Sequence, residues 1–153
     1  MKRSIIGFST DELGDPLAHL DCGHSQHVRH KPPFVNRPWV ASEAGRRAML
    51  GSELECPLCD RMEWPQGLVN YKRTRDLCER SVPAGFLRDH ATKRGVWGKL
   101  QITEGALEYR VQAPVNKRFA LNAPTEAIIV PQMKHHLCID QPVRFHVEFW
   151  KPA

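Results

Sequence analysis

The order of apolar and polar positions splits the chain into two halves with different rhythms. In the second half, Leu107, Tyr109 and Val111 alternate with Glu108 and Arg110, and Val143, Phe145, Val147 and Phe149 alternate with Arg144, His146 and Glu148. A period of two places successive side chains on opposite faces, so one face of each segment belongs to a core. Gly98 to Thr103, Ala106 to Gln112, Arg118 to Leu121, Ala127 to Val130 and His136 to Ile139 read as further strands. They are separated by Glu104-Gly105, Pro114 with Asn116, Asn122 with Pro124, Pro131, and Gln141-Pro142. Turn formers at this regular spacing, without helical periodicity, predict a β-sandwich or small barrel over residues 81–153.

The first half is less regular. Ser4 to Phe8 and Leu17 to Asp21 are short β-type runs joined by the turn formers Asp11-Glu12-Leu13-Gly14-Asp15-Pro16, which predicts a hairpin. Lys31-Pro32-Pro33 must run extended and carry Phe34 and Trp39 as lids over a small core. Ser42 reads as the N-cap of a helix of roughly eight residues that stops at Gly51. The expected organisation is a small α+β domain over 1–63, a linker over 64–80 marked by Pro65, Gly67, Asn70 and Lys72-Arg73-Thr74-Arg75, and the β domain over 81–153.

Composition adds two constraints. Residues 1–63 hold eight Lys/Arg against nine Asp/Glu, and residues 64–153 hold fourteen against eight. The excess is modest, and no aromatic interleaving accompanies the basic cluster, so a nucleic-acid partner is not expected. There is no leader-like or membrane-spanning run, and the five cysteines are odd in number. A cytoplasmic, reducing setting is therefore expected, with no membrane partner.

Three of those cysteines change the picture of the first half. The run Cys22-Gly23-His24-Ser25-Gln26-His27-Val28-Arg29-His30 is answered by Cys56-Pro57-Leu58-Cys59. Two cysteines separated by two residues can aim both sulfurs at one ion from a tight turn, and Cys22 adds a third thiolate. His24 is the first choice for the fourth donor, because Gly23 permits the backbone angles that would swing residues 22 and 24 together. His27 is the alternate and His30 comes third. Four protein donors leave no open position, which points to one structural zinc per chain rather than a catalytic one. A dithiol redox pair would need a βαβ setting that is not present before Cys56.

The run from Leu20 through Cys22, His24, His27, His30, Pro32, Pro33, Phe34, Asn36 and Trp39, followed by Gly45-Arg46, Gly51 and the Cys-x-x-Cys, resembles a small uncharacterised bacterial domain family over residues 3–62. That resemblance implies a zinc-binding module without an assigned reaction. Phe86-Leu-Arg-Asp-His90, Gly95 to Tyr109, Ile129-Val-Pro131, His136 and the closing Phe-x-Val-Glu-Phe-Trp resemble the cupin-like domain of the tellurite-resistance and nitrate-induced stress proteins (YeaR/TehB-like) over residues 80–151. This second resemblance implies a cupin-like β-sandwich barrel, a link to stress response, and His90 and His136 as recurrent family histidines.

The barrel is then the half expected to hold a small ligand, a metal or an oxyanion. His90 and His136, with Glu148 or His135 as a third donor, form a candidate second divalent-metal site. Such a site would support a metal-dependent enzyme; hydrogen-bonded histidines at a barrel rim are the competing reading. His135 and His136 are adjacent on a strand, so at most one of them enters the barrel. No nucleophile and base pair stands at a recognisable spacing, and catalytic residues remain unassigned. A third class is an interaction module using the zinc domain and Lys72 to Arg75. Edge strands make a homodimer a further expectation. The zinc domain is expected to unfold without its metal while the barrel stays folded.

Overall fold

The computed structural model describes residues 1–153 and is mainly β, with a small N-terminal unit packed against a curled sheet. In the first unit, β1 (Lys2–Thr10), β2 (Pro16–Leu20), β3 (Ser25–His27) and β4 (Glu53–Glu55) form an antiparallel sheet in the order β3-β2-β1-β4. The β1–β2 turn closes because the Asp11 carboxylate accepts hydrogen bonds from the backbone N–H groups of Leu13 and Asp15, both at 2.9 Å. This side chain replaces ladder bonds that the turn cannot make. Ile5, Ala18 and Leu20 face inward and are fully buried. The helix α1 (Glu43–Ala48) starts where expected, with the Ser42 hydroxyl accepting from Gly45 N at 3.0 Å. It runs six residues rather than about eight.

A four-residue helix, α2 (Pro57–Asp60), follows β4 and carries the second cysteine of the pair. Trp39 packs against Phe8, with ring centroids 5.9 Å apart. Phe34 does not act as a lid. Its side chain is 92% exposed, because the bridge between Lys31 and Val35 turns the loop tip outward.

The second unit is a sheet of β5 (Leu68–Arg73), β6 (Leu77–Cys78), β7 (Trp97–Val111), β8 (Lys117–Asn122), β9 (Thr125–Ile129), β10 (His135–Cys138) and β11 (Val143–Pro152). Its organiser is β7. The two strands expected on either side of Glu104-Gly105 are one continuous strand of 15 residues, bent at that point. Before the bend β7 pairs with β9 and β11, and after it with β8 and β10. The buried positions change parity across the bend, from Leu100 and Ile102 to Leu107, Tyr109 and Val111. The strand thus keeps its apolar face inward while the sheet curls around it. Gly105 has φ +73°, and a Cβ there would lie 2.1 Å from the Pro142 carbonyl oxygen, so no larger residue fits the bend.

The segment 64–80 is not a free linker. β5 and β6 both pair with β11 and extend the curled sheet. Nor are there two separate cores. One contiguous buried cluster runs from Ile5 and Val28 through Cys59 and Trp97 to Val147. No helix is long and apolar enough to cross a membrane.

Candidate metal centre and cavity

Four buried side chains from the N-terminal unit meet where it packs on the curled sheet. Cys22 ends the β1–β2 hairpin, and Gly23, at φ +95°, turns the backbone so that His24 doubles back toward the Cys22 sulfur. Cys56 caps α2, and Cys59 lies within it one turn on, with its N–H donating to the Cys56 carbonyl at 3.2 Å. The ligand atoms of Cys22, His24, Cys56 and Cys59 all lie within 4.8 Å of one another.

The distances test whether one ion fits. His24 Nδ1 lies 3.4, 3.5 and 3.6 Å from the sulfurs of Cys22, Cys56 and Cys59, and the Cys22 and Cys56 sulfurs are 3.9 Å apart. A tetrahedral ion with metal–sulfur bonds of about 2.3 Å and metal–nitrogen bonds of about 2.05 Å has edges of about 3.6 Å (N to S) and about 3.8 Å (S to S). These four edges agree within about 0.2 Å, and all six stay within 4.8 Å, so the four donors could hold a metal ion. His24 Nε2 donates to the Glu63 carbonyl at 2.8 Å, which fixes Nδ1 as the coordinating atom.

Electrostatics point the same way. Burial opposes a charge on His24, yet the sulfurs of Cys56 and Cys59 outweigh it and raise its pKa to about 9. Hydrogen bonding with Cys56 and Cys59, then burial, pushes the Cys22 thiol up, while hydrogen bonds from Cys22 and Cys59 hold Cys56 well below the usual thiol range. The cluster therefore competes internally for protons, and a bound cation would displace them. Arg3 closes the site from the side. It is 2% exposed, donates from Nε to the Cys59 sulfur at 3.3 Å, from Nη2 to the Pro131 carbonyl at 2.7 Å and from Nη1 to Gln132 Oε1 at 3.0 Å. Trp97 Nε1 donates to the Cys22 carbonyl at 2.7 Å, and its ring packs edge-on to His24 with centroids 5.5 Å apart.

The alternates lie outside the cluster. His27 is half-exposed and pairs with Asp11 at 2.8 Å, and His30 Nδ1 accepts from the backbone N–H of Arg37 at 2.9 Å. Arg3 and Trp97 were missed by sequence reasoning. An arginine in a short strand and a tryptophan after a turn carry no local mark of what they touch 50 or more residues away.

The second candidate set does not assemble as expected. In β10 the inward positions are His135 and Leu137, so His136 turns outward and pairs through Nδ1 with Asp89 at 2.6 Å. Glu148 lies on the outer face of β11 among Gln101 and His146, because Val147 and Phe149 take the inward positions. His90 meets His135 instead, with ring centroids 4.3 Å apart. Both line a cavity of about 360 Å³ inside the curled sheet, walled mainly by Phe86, Val96, Leu100, Ile129 and Phe149. Burial holds His135 well below the usual imidazole range, at about 4, so its ring is neutral at ordinary pH.

Comparison with known proteins divides the chain at the same place. Residues 6–63 match the family DUF3565, described as a protein of unknown function, and residues 72–147 match the TehB-like domain. No match was found among curated proteins. Among solved structures, a protein from E. coli strain K12 is similar with a TM-score of 0.54 and 22% identity, over 60% of this chain and 97% of that one. TehB from Haemophilus influenzae is similar with a TM-score of 0.51 and 21% identity, over 57% of this chain and 32% of its own length. At these identities the likeness concerns the fold. The chain thus spans about a third of TehB.

Proposed function

We propose that this chain, a DUF3565-type segment followed by a TehB-like domain, is a non-catalytic, tellurite-resistance-like stress protein: a structural zinc centre braces a cupin-like barrel that binds a small ligand. The observation that carries the reading is the contrast between a closed donor set and an open cavity in one continuous core. Zinc is favoured over other ions by three thiolates and one imidazole at tetrahedral edges. With neutral His24, a divalent ion and three thiolates sum to a charge of −1. Arg3 has no carboxylate partner, and its guanidinium supplies the compensating charge at Cys59. All four donors come from the protein, so no position remains for water or substrate.

The ligand-binding role falls to the cavity. Its size lies at the lower end of the range for small-molecule sites, and its apolar walls with a few convergent polar groups have the composition of such sites. Lys72 and Lys93 are among its lining residues, which favours an anionic group on the ligand, an oxyanion or a carboxylate.

Elemental analysis of protein purified without chelator tests the zinc half: one zinc per chain is expected, with sulfur in its absorption-edge coordination shell. Equilibrium dialysis with tellurite and with small carboxylates tests the ligand half, against a Leu100→Trp variant that fills the cavity. Binding that persists unchanged in that variant would remove the cavity from the reading.

A further inference from the structure

The two cavity histidines have unused capacity of one particular kind. His90 Nδ1 lies 2.9 Å from the Arg88 carbonyl, and His135 Nδ1 lies 2.9 Å from the Met133 carbonyl. A carbonyl only accepts, so each Nδ1 carries the proton and each Nε2 carries a lone pair. Neither Nε2 has a partner in the protein. The arrangement is the same on both sides of the pair: each ring is anchored to the carbonyl two residues before it. His90 and His135 also form a hydrogen-bonded antiparallel pair, with N to O distances of 3.0 and 2.9 Å. Cross-strand partners project from the same face of a ladder, so both rings stand side by side over the cavity.

From this geometry we infer that His90 and His135 form a second metal site, binding a first-row divalent transition ion through Nε2, with its remaining positions open to the cavity. The inference rests on the reading of the barrel as the ligand-binding half, and it assigns what holds the anionic ligand there. An Nδ1–H donated to a backbone carbonyl is the usual outer support of a metal-bound imidazole, fixing the tautomer and raising the basicity of Nε2. An ion about 2.05 Å from each nitrogen lies about 3.2 Å from each ring centre, which puts two cis imidazoles about 4.5 to 5.2 Å apart, against the observed 4.3 Å. The two rings are about 0.2 Å closer than the lower bound for cis imidazoles on one ion, so a small outward rotation of either ring would complete the site.

The rings are also held in place. Phe86 stacks on His90 with centroids 5.5 Å apart, and Tyr109 meets His135 edge-on at 5.7 Å. The Tyr109 hydroxyl donates to the Ile128 carbonyl at 3.0 Å and the Thr92 hydroxyl to the Val96 carbonyl at 2.6 Å, so neither is free to serve as a third donor. An ion here would therefore complete its shell with water or an exogenous anion. Two imidazoles select zinc, copper, nickel or iron over magnesium and calcium.

The probe is Ni²⁺, titrated into the full-length, zinc-loaded protein. One nickel per chain should bind in addition to the zinc, with only nitrogen and oxygen neighbours in its absorption-edge spectrum. His90→Ala should weaken nickel binding by about tenfold or more, and His136→Ala should leave it unchanged. His90 is partly exposed, so its variant should keep the native near-ultraviolet circular dichroism; His135→Gln provides a second, volume-conserving variant. No nickel beyond the zinc, equal loss in His90→Ala and His136→Ala, or sulfur in the nickel shell would each overturn the assignment. Zinc measured in the same samples reports separately on the cysteine centre, so failure of one site is not mistaken for failure of the other.

Discussion

Histidine appears in two settings in this molecule, and they differ in what the surroundings leave free. At the cysteine centre, His24 is one of four donors within 4.8 Å, its far nitrogen is tied to Glu63, and Arg3 and Trp97 close the outside. In the curled sheet, His90 and His135 are tied down just as firmly through Nδ1, but nothing in the protein meets their other nitrogens, which line an apolar cavity. In the first setting every donor is turned toward one point or tied to the backbone. The second keeps capacity in reserve, which is what binding something from solution requires.

The two settings are not mechanically separate. Arg3 reaches from the Cys59 sulfur to Pro131 and Gln132, and Met133, next along, supplies the carbonyl that anchors His135. Trp64 stands between Trp97 and Trp150 with edge-on contacts at 5.7 and 5.5 Å, and Asp21 pairs with Arg94 at 3.3 Å. The expectation that the first unit could unfold while the second stayed intact meets a shared core instead.

The most severe test of the comparison is to remove a ligand of the proposed zinc. Structural zinc in small domains contributes on the order of 10 kcal/mol of linked folding free energy. Cys56→Ser or Cys59→Ser should therefore unfold residues 1–63 and lower the melting temperature of the sheet with them, as read by hydrogen exchange across both units. Protection lost only in residues 1–63 would show that the core is not shared. Arg3→Leu comes next. It leaves the Pro131 carbonyl and the Cys59 thiolate without their donor and should cost about 3 to 5 kcal/mol in urea denaturation. The loss should be visible in amides of both Cys59 and Met133.

Trp97→Phe keeps most of the buried ring but removes the hydrogen bond to Cys22, and should cost about 1 to 3 kcal/mol by the same measurement. Ser42→Ala removes the cap of α1 and should cost about 1 kcal/mol. The smallest effect is expected where neither setting is touched. Phe34→Ser should stay within about 0.5 kcal/mol of the wild type, because the ring it removes already faces solvent.

Much of the candidate metal centre was legible because its chemistry is local. Two cysteines two residues apart, and a glycine between Cys22 and His24, restrict the backbone before anything else in the chain is placed. Alternation identified β7 and β11 for the same reason: a period of two is a property of consecutive residues. The alternation even announced that only one of His135 and His136 could point inward.

What that reasoning left open was decided by contacts between distant segments. Whether His135 or His136 faces the cavity depends on the register of β10 against β7, and a shift of one residue would exchange them. That Glu104-Gly105 bends a strand instead of ending it depends on β11 lying across the bend, with Pro142 packed against Gly105. That 64–80 is sheet depends on β11 having an edge to offer. The chain by itself thus singled out the three cysteines of the candidate metal centre, with His24 preferred to His27 and His30 beside them, the β character of the second half and the cap of the helix, since each follows from the chemistry of neighbouring residues. Only the tertiary structure decided that Arg3 and Trp97 join the two units, and that His90 meets His135, because those pairings are made by groups that the sequence keeps far apart and only packing brings into reach.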